Sequence, residues 1–345
     1  MISGDIITRV RAVIESGELD DEGFVELCRR IAGEQGSLGA ESGLQGVVPV
    51  PEEAFKRATV AHFPVDQAQA VFRTSGTTTG NTGKHHVFDP GLYRASVLGG
   101  FRRFVMYPPA PEGMLSLIPD AAQRPGSSLS HMVSIVADEI GPDRSVIARQ
   151  GDALLVDAVK DWLAAAQRAG RPVVIMGTSL DFQALFQALR DEGGTVFHLP
   201  GSSRAMHTGG EKASGREVSR KELWDGFSGL LGIESDDAVE EFGMTELMSQ
   251  AYDSPRVTMG PRRFVPVPWM RTRVLEPESM ADVAPGGRGM LCHYDIANCH
   301  TAVAVLTNDL AIRVEDGFYA IRRAPGALPR GCSSEAASEE KKVRD

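Results

Sequence analysis

The chain has 345 residues and 42% of them are hydrophobic, enough for a large core or for two or three subdomains. Its formal net charge of −10 argues against general nucleic-acid binding, because that affinity needs an excess of Lys and Arg. Four scattered cysteines do not suggest a disulfide framework, and no apolar run is long enough to span a bilayer. Since the N-terminus also lacks the features of a secretory signal, we expect a cytoplasmic protein with reduced thiols.

Residues 1–64 are predicted to form a helical segment, because apolar residues recur there with helical spacing. Residues 65–260 alternate short apolar runs with amphipathic helices, which favours an α/β core. Asp89 precedes a proline and is a typical helix N-cap, while residues 219–222 have the pattern of a capping box. The predicted core strands are Leu115–Ile118, Val173–Met176, Thr195–Leu199 and Ala238–Phe242.

Residues 261–332 are predicted to form a small antiparallel β subdomain, because strand-like segments alternate there with turns. Asp316-Gly317 is a hairpin signal, and Asp309 is predicted to lie in another tight turn between two strands. Residues 333–345 are expected to be a mobile tail. The predicted strands of the subdomain are 271–275, 289–294, 302–307, 310–314 and 318–322.

Residues 74–84 are the most informative stretch, because nearly all are Gly, Thr, Ser or Asn and the last is Lys84. Glycines let backbone N–H groups turn inward, hydroxyls add donors, and the lysine adds positive charge, so the composition suits a polyphosphate. The spacing excludes a Walker A loop, since Thr78 stands where its first Gly is required and His85 where a Ser or Thr must follow the Lys.

Three further segments carry residues suited to chemistry. Residues 207–212 form a Gly-rich turn with a carboxylate, and residues 241–246 place an aromatic ring, a hydroxyl and two acids at the end of a predicted strand. Residues 306–310 place an acid beside Asn. Each segment alone is weak evidence for a functional site, because turns of this composition usually have only a structural role. Their order and spacing together make the signal specific.

In this order the motifs resemble those of the adenylate-forming superfamily, which includes acyl-CoA ligases, peptide-synthetase adenylation domains and firefly luciferase. Residues 74–80 resemble its Thr-Ser-Gly-Thr-Thr-Gly phosphate loop, residues 242–246 its aromatic-Gly-x-Thr-Glu motif, and residues 307–309 its Thr-Gly-Asp motif. The resemblance covers roughly residues 65–332. It implies an α/β fold like the N-terminal domain of that superfamily, with helix-covered mixed sheets and a small antiparallel β subdomain.

The resemblance also implies that a carboxylate attacks the α-phosphorus of ATP, giving an acyl-adenylate and pyrophosphate. Glu246 would hold Mg²⁺, Thr245 would contact the α-phosphate or the substrate carboxylate, and Lys84 would contact the phosphates. Phe242 would stack on adenine and Asp309 would bind the ribose. The implied ATP-binding residues are Thr74, Ser75, Gly76, Thr77, Thr78, Gly80, Gly209, Gly210, Glu211, Phe242, Gly243, Asp309 and Arg323.

Within the superfamily, the chain resembles the LuxE acyl-protein synthetases of bacterial bioluminescence at residues 127–132 and 330–333. The superfamily's hinge motif would fall near residues 322–326, and since only about twenty residues follow, its mobile C-terminal lid is expected to be absent. In LuxE proteins the acyl group passes from AMP to a Cys near the C-terminus, and Cys332 would be that catalytic thiol. His131 would lie near the acyl pocket, with a helix-capping role as the alternative.

Three functions remain open on the sequence. The first is ATP-dependent activation of a carboxylic acid, fatty by the resemblance, followed by transfer to Cys332 as a thioester for delivery to a fatty-acid reductase partner. The second is a lid-less adenylating enzyme that activates an aromatic or other small acid in secondary metabolism. The third is a nucleotide-binding subunit without turnover.

Overall fold

The computed structural model describes residues 1–74, 82–191, 195–209 and 218–323. Its helices are α1 (Gly4–Ser16), α2 (Asp21–Gln35), α3 (Ala54–Arg57), α4 (Pro90–Phe104), α5 (Ser128–Ile140), α6 (Val156–Arg168), α7 (Ser179–Asp191), α8 (Arg220–Gly226) and α9 (Pro255–Thr258).

The strands are β1 (Val50–Pro51), β2 (Ala70–Arg73), β3 (Lys84–Val87), β4 (Gly113–Ser116), β5 (Ser145–Ile147), β6 (Arg149–Gln150), β7 (Ala153–Leu154), β8 (Val173–Thr178), β9 (Arg204–Thr208), β10 (Ala238–Phe242), β11 (Ala251–Asp253), β12 (Val265–Pro266), β13 (Met270–Leu275), β14 (Arg288–Asp295), β15 (Ala304–Val314) and β16 (Gly317–Arg323).

These elements form two compact units. Among the described residues, unit one comprises 1–100, 243–252 and 263–323, and unit two comprises 101–242 and 253–262. None of the described helices has the length and apolar content needed to cross a membrane.

Unit one is built on a five-stranded sheet in which β1, β15, β14 and β13 are neighbours in that order and β16 also pairs with β15. All its pairings are antiparallel except that of β1 with β15. Helices α1 and α2 belong to this unit, and their apolar residues are buried as the helical spacing predicts. Cys28 is one of these buried residues. The antiparallel strands β13 to β16 lie in the region predicted to be a β subdomain, and they share one unit with residues 1–100 and 243–252.

The predicted turn at Asp309 is wrong, because β15 runs without interruption from residue 304 to residue 314. Asp309 lies within this strand and is in register with Arg323 of β16. The pairing of β15 with β14 shifts between Met290 and Cys292, so the strand carries an irregularity there and does not turn back. Asn308 and Asp309 are residue types common in turns, but here both lie inside a continuous strand. The hairpin at Asp316-Gly317 is confirmed, with Asp316 at a φ of 59°.

Unit two has an α/β architecture in which β10, β9, β8, β4 and β5 are parallel neighbours in that order. Helices between these strands bury their apolar faces in a common core with the strands. Parallel strands require crossover connections, which explains the alternating pattern of this part of the sequence. The core includes Leu115, Val159, Leu163, Ile175, Phe182, Phe186, Ala205, Leu223, Phe227 and Ala238.

One predicted strand of unit two is wrong. Residues 195–199 are irregular, although the N–H groups of Phe197 and Leu199 donate to the carbonyls of Leu230 and Leu231 at 2.8 and 3.2 Å. The sheet uses Arg204–Thr208 in their place. The strand begins with the buried Arg204, so its sequence does not have the continuous apolar run that predicts a buried strand.

Both predicted helix starts are confirmed. Asp89 Oδ1 accepts the N–H of Gly91 at 2.8 Å at the start of α4. Ser219 and Glu222 form a reciprocal capping box at the start of α8. Each side chain thereby satisfies a backbone donor that the first turn of a helix leaves without a partner.

Candidate functional site

The base of the Thr/Gly loop is closed by two hydrogen bonds between Thr74 and Gly83. The Gly83 N–H donates to Thr74 Oγ1 at 2.7 Å, and the Thr74 N–H donates to the Gly83 carbonyl at 3.0 Å. Strands β2 and β3 form an antiparallel pair on either side, and Lys84 is exposed at the first position of β3. The predicted phosphate ligands Ser75, Gly76, Thr77, Thr78 and Gly80 lie outside the described residues, so their role stays a prediction.

His85 connects the base of this loop to the second motif. Its side chain is 1% exposed, and its Nδ1 lies 2.7 Å from the carbonyl oxygen of Thr245. Its Nε2 lies 3.1 Å from Thr301 Oγ1. Burial lowers the pKa of His85 from 6.5 to about 4, so the ring is neutral near pH 7. Because a carbonyl can only accept, the neutral ring carries its proton on Nδ1 and donates it to Thr245.

The motif that follows residue 243 is held by two buried polar side chains of unit one. Asn298 Nδ2 donates to the carbonyl of Glu246 at 2.9 Å. Asp295 accepts the N–H of Met248 at 2.9 Å and the hydroxyl of Ser249 at 2.7 Å. Burial raises the pKa of Asp295 from 3.8 to about 6, while these hydrogen bonds oppose the increase. Residues 246–249 are therefore held in place by hydrogen bonds from Asp295 and Asn298.

The predicted catalytic and metal residues of this motif differ in exposure. Thr245 is half-buried, Gly243 is exposed and Glu246 is 1% exposed. The described residues contain no group of three or more His, Cys, Asp or Glu side chains that could hold a metal ion. Any magnesium held by Glu246 would therefore take most of its ligands from substrate and water, as Mg²⁺ commonly does.

The predicted ribose ligand Asp309 is half-buried, and its N–H donates to Thr307 Oγ1 at 3.0 Å. Arg323 is its register partner on β16. The neighbouring Asn308 Nδ2 donates to Glu52 Oε1 at 3.1 Å. These contacts place Asp309 on a rigid strand.

Unit two supplies the other predicted nucleotide residues at the carboxyl ends of two parallel strands. Gly209 follows β9 with a φ of 53°, a left-handed conformation that glycine adopts without strain. Phe242 ends β10 and is half-buried. Beside it, burial raises the pKa of Glu241 from 4.5 to about 7, and a hydrogen bond with Thr208 opposes the increase. Gly210 and Glu211 lie outside the described residues.

A cavity of about 50 Å³ lies in unit two at the carboxyl ends of β4 and β8. Its lining includes Ser127, the N-cap of α5, and Ser130, which lies in the first turn of that helix. His131 follows Ser130, and its Nε2 lies 2.9 Å from the carbonyl oxygen of Pro125, so it braces the segment that precedes α5.

Three of the four cysteines are unsuited to nucleophilic chemistry. Cys28, Cys292 and Cys299 are all fully buried and free. Burial raises the pKa of Cys28, and it raises those of Cys292 and Cys299 from 9.0 to about 12. Their thiolates are therefore scarce at neutral pH. The predicted acceptor Cys332 lies outside the described residues.

Sequence reasoning missed His85, Asp295 and Asn298. In the sequence His85 only interrupts a Walker A pattern, and Asp295 and Asn298 lie far along the chain from the motif. His85 contacts Thr245, 160 positions away. Asp295 and Asn298 contact Met248 and Glu246, which are 47 and 52 positions away. A local pattern carries no signal for such contacts.

Comparison with known proteins gives both a family and a fold. The family model described as "Acyl-protein synthetase, LuxE" matches residues 152–338, more than half of the chain. No curated protein is significantly similar to the chain in sequence.

Three solved structures illustrate the similarity in fold. An open conformation of 2-hydroxyisobutyryl-CoA ligase, in complex with 2-HIB-AMP and CoA, has a TM-score of 0.58 and 14% identity over 98% of this chain and 80% of that one. ATP-bound MatB from Rhodopseudomonas palustris has a TM-score of 0.52 and 17% identity over 76% of this chain. The luciferase-like enzyme of the nonluminescent mealworm Zophobas morio has a TM-score of 0.51 and 15% identity over 82% of this chain and 63% of that one.

The match covers 49% of MatB, so the chain spans about half the length of that enzyme. Identities this low establish the fold alone. The predicted fold, helix-covered mixed sheets like the N-terminal domain of adenylate-forming enzymes, is confirmed.

Proposed function

Because the chain belongs to the LuxE acyl-protein synthetase family, we propose that it uses ATP to activate a carboxylic acid as an acyl-adenylate and then transfers the acyl group to a thiol. The contact between His85 and the Thr245 carbonyl carries this proposal. It joins the base of the phosphate loop to the Thr-Glu motif through one buried, neutral ring. Lys84 and Thr245 are thereby held in one framework within unit one.

The residues of unit one have the chemistry that the first step needs. A carboxylate is already a nucleophile, so its oxygen can attack the α-phosphorus without a general base. The bond from the α-phosphorus to the bridging oxygen breaks, and pyrophosphate leaves. Lys84 is exposed and would neutralise phosphate charge, while the half-buried Thr245 would donate a hydrogen bond to the α-phosphate or the acid.

The residues present also fit the magnesium ion that such a reaction uses. Glu246 offers a carboxylate, a hard oxygen ligand, and one such carboxylate with phosphate oxygens and water is a common Mg²⁺ shell. Bound there, the ion would neutralise negative charge on the phosphates. Phe242 would stack on adenine beside Gly209, and Asp309 would accept hydrogen bonds from the ribose hydroxyls.

Cys332 is the proposed acyl acceptor. Its thiolate would attack the carbonyl carbon of the mixed anhydride, and AMP would leave as a thioester forms. The burial of the other three cysteines supports this choice, because their high pKa values leave few thiolates. A thioester remains reactive, so it suits delivery to a reductase partner, which the family resemblance suggests.

The acceptor is tested by labelling. Incubation with ATP, Mg²⁺ and radiolabelled tetradecanoate should give a protein adduct that hydroxylamine releases. Cys332→Ser should abolish the adduct but retain acid-dependent exchange of pyrophosphate into ATP, because only the second step needs the thiol. Ser333→Ala is the matched control and should label like the wild type. Equal labelling of the Cys332→Ser variant would contradict the role of this thiol.

The family suggests a fatty acid, but one observation favours a second candidate substrate, a small acid. The cavity at the carboxyl ends of β4 and β8 is small, about 50 Å³. Pyrophosphate exchange with a panel of acids separates the two substrates. If ATP binds but no acid supports exchange, the chain is a nucleotide-binding subunit and the proposed activity is wrong.

A further inference from the structure

A buried hydrogen-bond network of unit one holds two consecutive carbonyls of the Thr-Glu motif. Its side chains are those of His85, Asn298 and Thr301, and each of these residues is 1% exposed. The His85 ring donates from Nδ1 to the carbonyl of Thr245. Asn298 Nδ2 donates to the carbonyl of Glu246. The network therefore holds the motif at two adjacent peptide groups.

These two bonds restrict the backbone of Glu246 on both sides of its Cα atom. A peptide group is planar, so each residue has only two soft dihedral angles, and they set the orientation of the planes on either side of it. The Thr245 carbonyl belongs to the plane before the Glu246 Cα, and the Glu246 carbonyl belongs to the plane after it. Holding both carbonyls therefore fixes the direction of the Cα–Cβ bond of Glu246.

The Thr301 hydroxyl joins the two halves of this network. Its Oγ1 lies 2.6 Å from Asn298 Oδ1 and 3.1 Å from His85 Nε2. The orientation of the Asn298 amide is settled by its partners, because Nδ2 also donates to the carbonyl of Ala302 at 2.8 Å and carbonyls can only accept. Oδ1 therefore faces Thr301. The hydroxyl is the one donor placed between both acceptors, so it links His85 to Asn298.

The turn that carries Asn298 and Thr301 is supported by α2. The Thr301 N–H donates to the Asn298 carbonyl at 3.1 Å and closes the turn. Gln35, the last residue of α2, donates from Nε2 to the Cys299 carbonyl at 2.7 Å. Its Oε1 accepts the N–H of Val303 at 3.1 Å. The network thus rests on a turn that is bound to a helix on its other side.

We propose that Thr301 is a positioning residue for the Thr-Glu motif, and that its hydroxyl, through His85 and Asn298, fixes the direction in which Glu246 presents its carboxylate to magnesium. The inference rests on the proposed activation of a carboxylic acid with ATP and Mg²⁺. Because Thr301 is 1% exposed, it acts through these neighbours and not by touching substrate.

A second threonine–histidine pair of unit one supplies the control. Thr272 Oγ1 lies 2.9 Å from His293 Nδ1, between the paired strands β13 and β14. Thr272→Val therefore removes a hydrogen bond of the same kind as Thr301→Val, but it leaves the bonds to the Thr245 and Glu246 carbonyls in place. Both substitutions should lower the urea midpoint of unfolding, whereas only Thr301→Val should slow the reaction.

Pyrophosphate exchange, with the acid that the wild type exchanges fastest, measures the effect on the first step. Valine has the shape of threonine without the hydroxyl, so Thr301→Val should lower kcat roughly tenfold by misplacing Glu246. At saturating Mg²⁺ its KM for ATP should stay within about twofold of the wild-type value, because the phosphate loop and the adenine contacts are unchanged. Thr301→Ser restores the hydroxyl and should recover most of the lost rate.

Metal binding gives a readout that does not depend on turnover. The analogue α,β-methylene-ATP cannot release pyrophosphate, and calorimetry follows its binding to the full chain at increasing Mg²⁺ concentration. Thr301→Val should need roughly fivefold to tenfold more Mg²⁺ for the same affinity, since groups that orient a metal ligand commonly contribute this much. Thr301→Ser and Thr272→Val should resemble the wild type.

His85→Asn tests the same link if Thr301→Val does not fold. The amide nitrogen of asparagine can take the place of Nδ1 and donate to the Thr245 carbonyl, but the shorter side chain cannot also reach Thr301. This variant should therefore show the same loss of kcat and the same increase in the Mg²⁺ requirement. Wild-type behaviour of His85→Asn in both measurements would contradict the proposal.

Three outcomes overturn the role of Thr301. They are an unchanged kcat and Mg²⁺ requirement in Thr301→Val, an equal loss in Thr301→Ser, and an equal loss in Thr272→Val, which would mean general destabilisation. Failure of the proposed function is seen separately, as a wild type that binds ATP but exchanges pyrophosphate with no acid. In that case the Mg²⁺ titration with the analogue still decides whether Thr301 positions Glu246.

Discussion

His85 stabilises unit one through two buried hydrogen bonds, to the Thr245 carbonyl and to the Thr301 hydroxyl. Replacing it by leucine leaves both partners buried without their bond, so we expect His85→Leu to lower the free energy of unfolding by about 1–3 kcal/mol. Urea denaturation measures this change. His198→Leu is the control, because His198 is exposed and its substitution should stay within about 0.5 kcal/mol. Equal effects of the two variants would contradict a structural role of His85.

The same residue makes stability depend on pH. Burial lowers the pKa of His85 to about 4 from 6.5, so the unfolded chain binds its proton first as pH falls. The contribution of His85 is complete above pH 6.5 and is lost toward about pH 4. The stability difference between wild type and His85→Leu should therefore shrink over this range, by at most about 1.4 kcal/mol per pH unit.

Glu241 should act with the opposite sign. Its pKa is raised to about 7 from 4.5, so its contribution is present below pH 4.5 and is lost as pH rises through about 7. Glu241→Gln should flatten this part of the stability profile, as urea denaturation at several pH values would show. A profile unchanged by the substitution would mean that this carboxyl titrates normally.

The motif residues could be identified from local sequence, since Lys84, Thr245 and Glu246 stand in short patterns with recognisable chemistry. The residues that hold them could not. Asp295 and His85 act through partners on distant segments, and a lone buried Asp or His has no pattern of its own. The assigned roles of the motif residues stay predictions until variants are measured.

At the level of elements, α8 packs so closely on Phe186 that Gly226 leaves no room for a side chain. A Cβ on Gly226 would lie 2.2 Å from Cε2 of Phe186, whereas a Cβ on Gly229 meets nothing within 4 Å. We expect Gly226→Ala to destabilise the protein by about 1–3 kcal/mol through overpacking. Gly229→Ala should be neutral or slightly stabilising, because alanine restricts the unfolded chain. Thermal denaturation distinguishes them, and equal midpoints would contradict the packing of α8 on Phe186.

The strands show where pattern and structure diverge. The apolar strand β8 could be predicted closely, because a buried parallel strand is a continuous apolar run. Residues 195–199 are also partly apolar, but Phe197 and Leu199 are buried outside the sheet, where their N–H groups donate to the carbonyls of Leu230 and Leu231. The strand between β10 and β8 is β9. Its buried Arg204 donates to backbone carbonyls, including that of Pro109 at 2.8 Å. Composition cannot choose between two such segments.

For the whole molecule, the proposed function predicts that nucleotide stabilises the fold. A ligand that binds only the folded state at a hundred times its Kd adds about 2.7 kcal/mol to stability. ATP with Mg²⁺ should therefore raise Tm, and Lys84→Met should reduce the rise by weakening phosphate binding. Differential scanning calorimetry measures both. No rise in Tm at saturating ATP would contradict nucleotide binding, whatever the substrate.

Local patterns were sufficient to predict the fold class, the two helix caps and the order of the motifs. Periodicity, capping chemistry and glycine-rich spacing are properties of neighbouring residues, so the sequence carries them directly. Tertiary contacts alone decided that β15 is continuous through Asp309 and that Cys292 and Cys299 are buried. They also decided that His85 donates a hydrogen bond to a carbonyl 160 residues away and that Ser130 lines a cavity. Burial and long-range hydrogen bonds depend on which segments meet, and that is settled only when the whole chain packs.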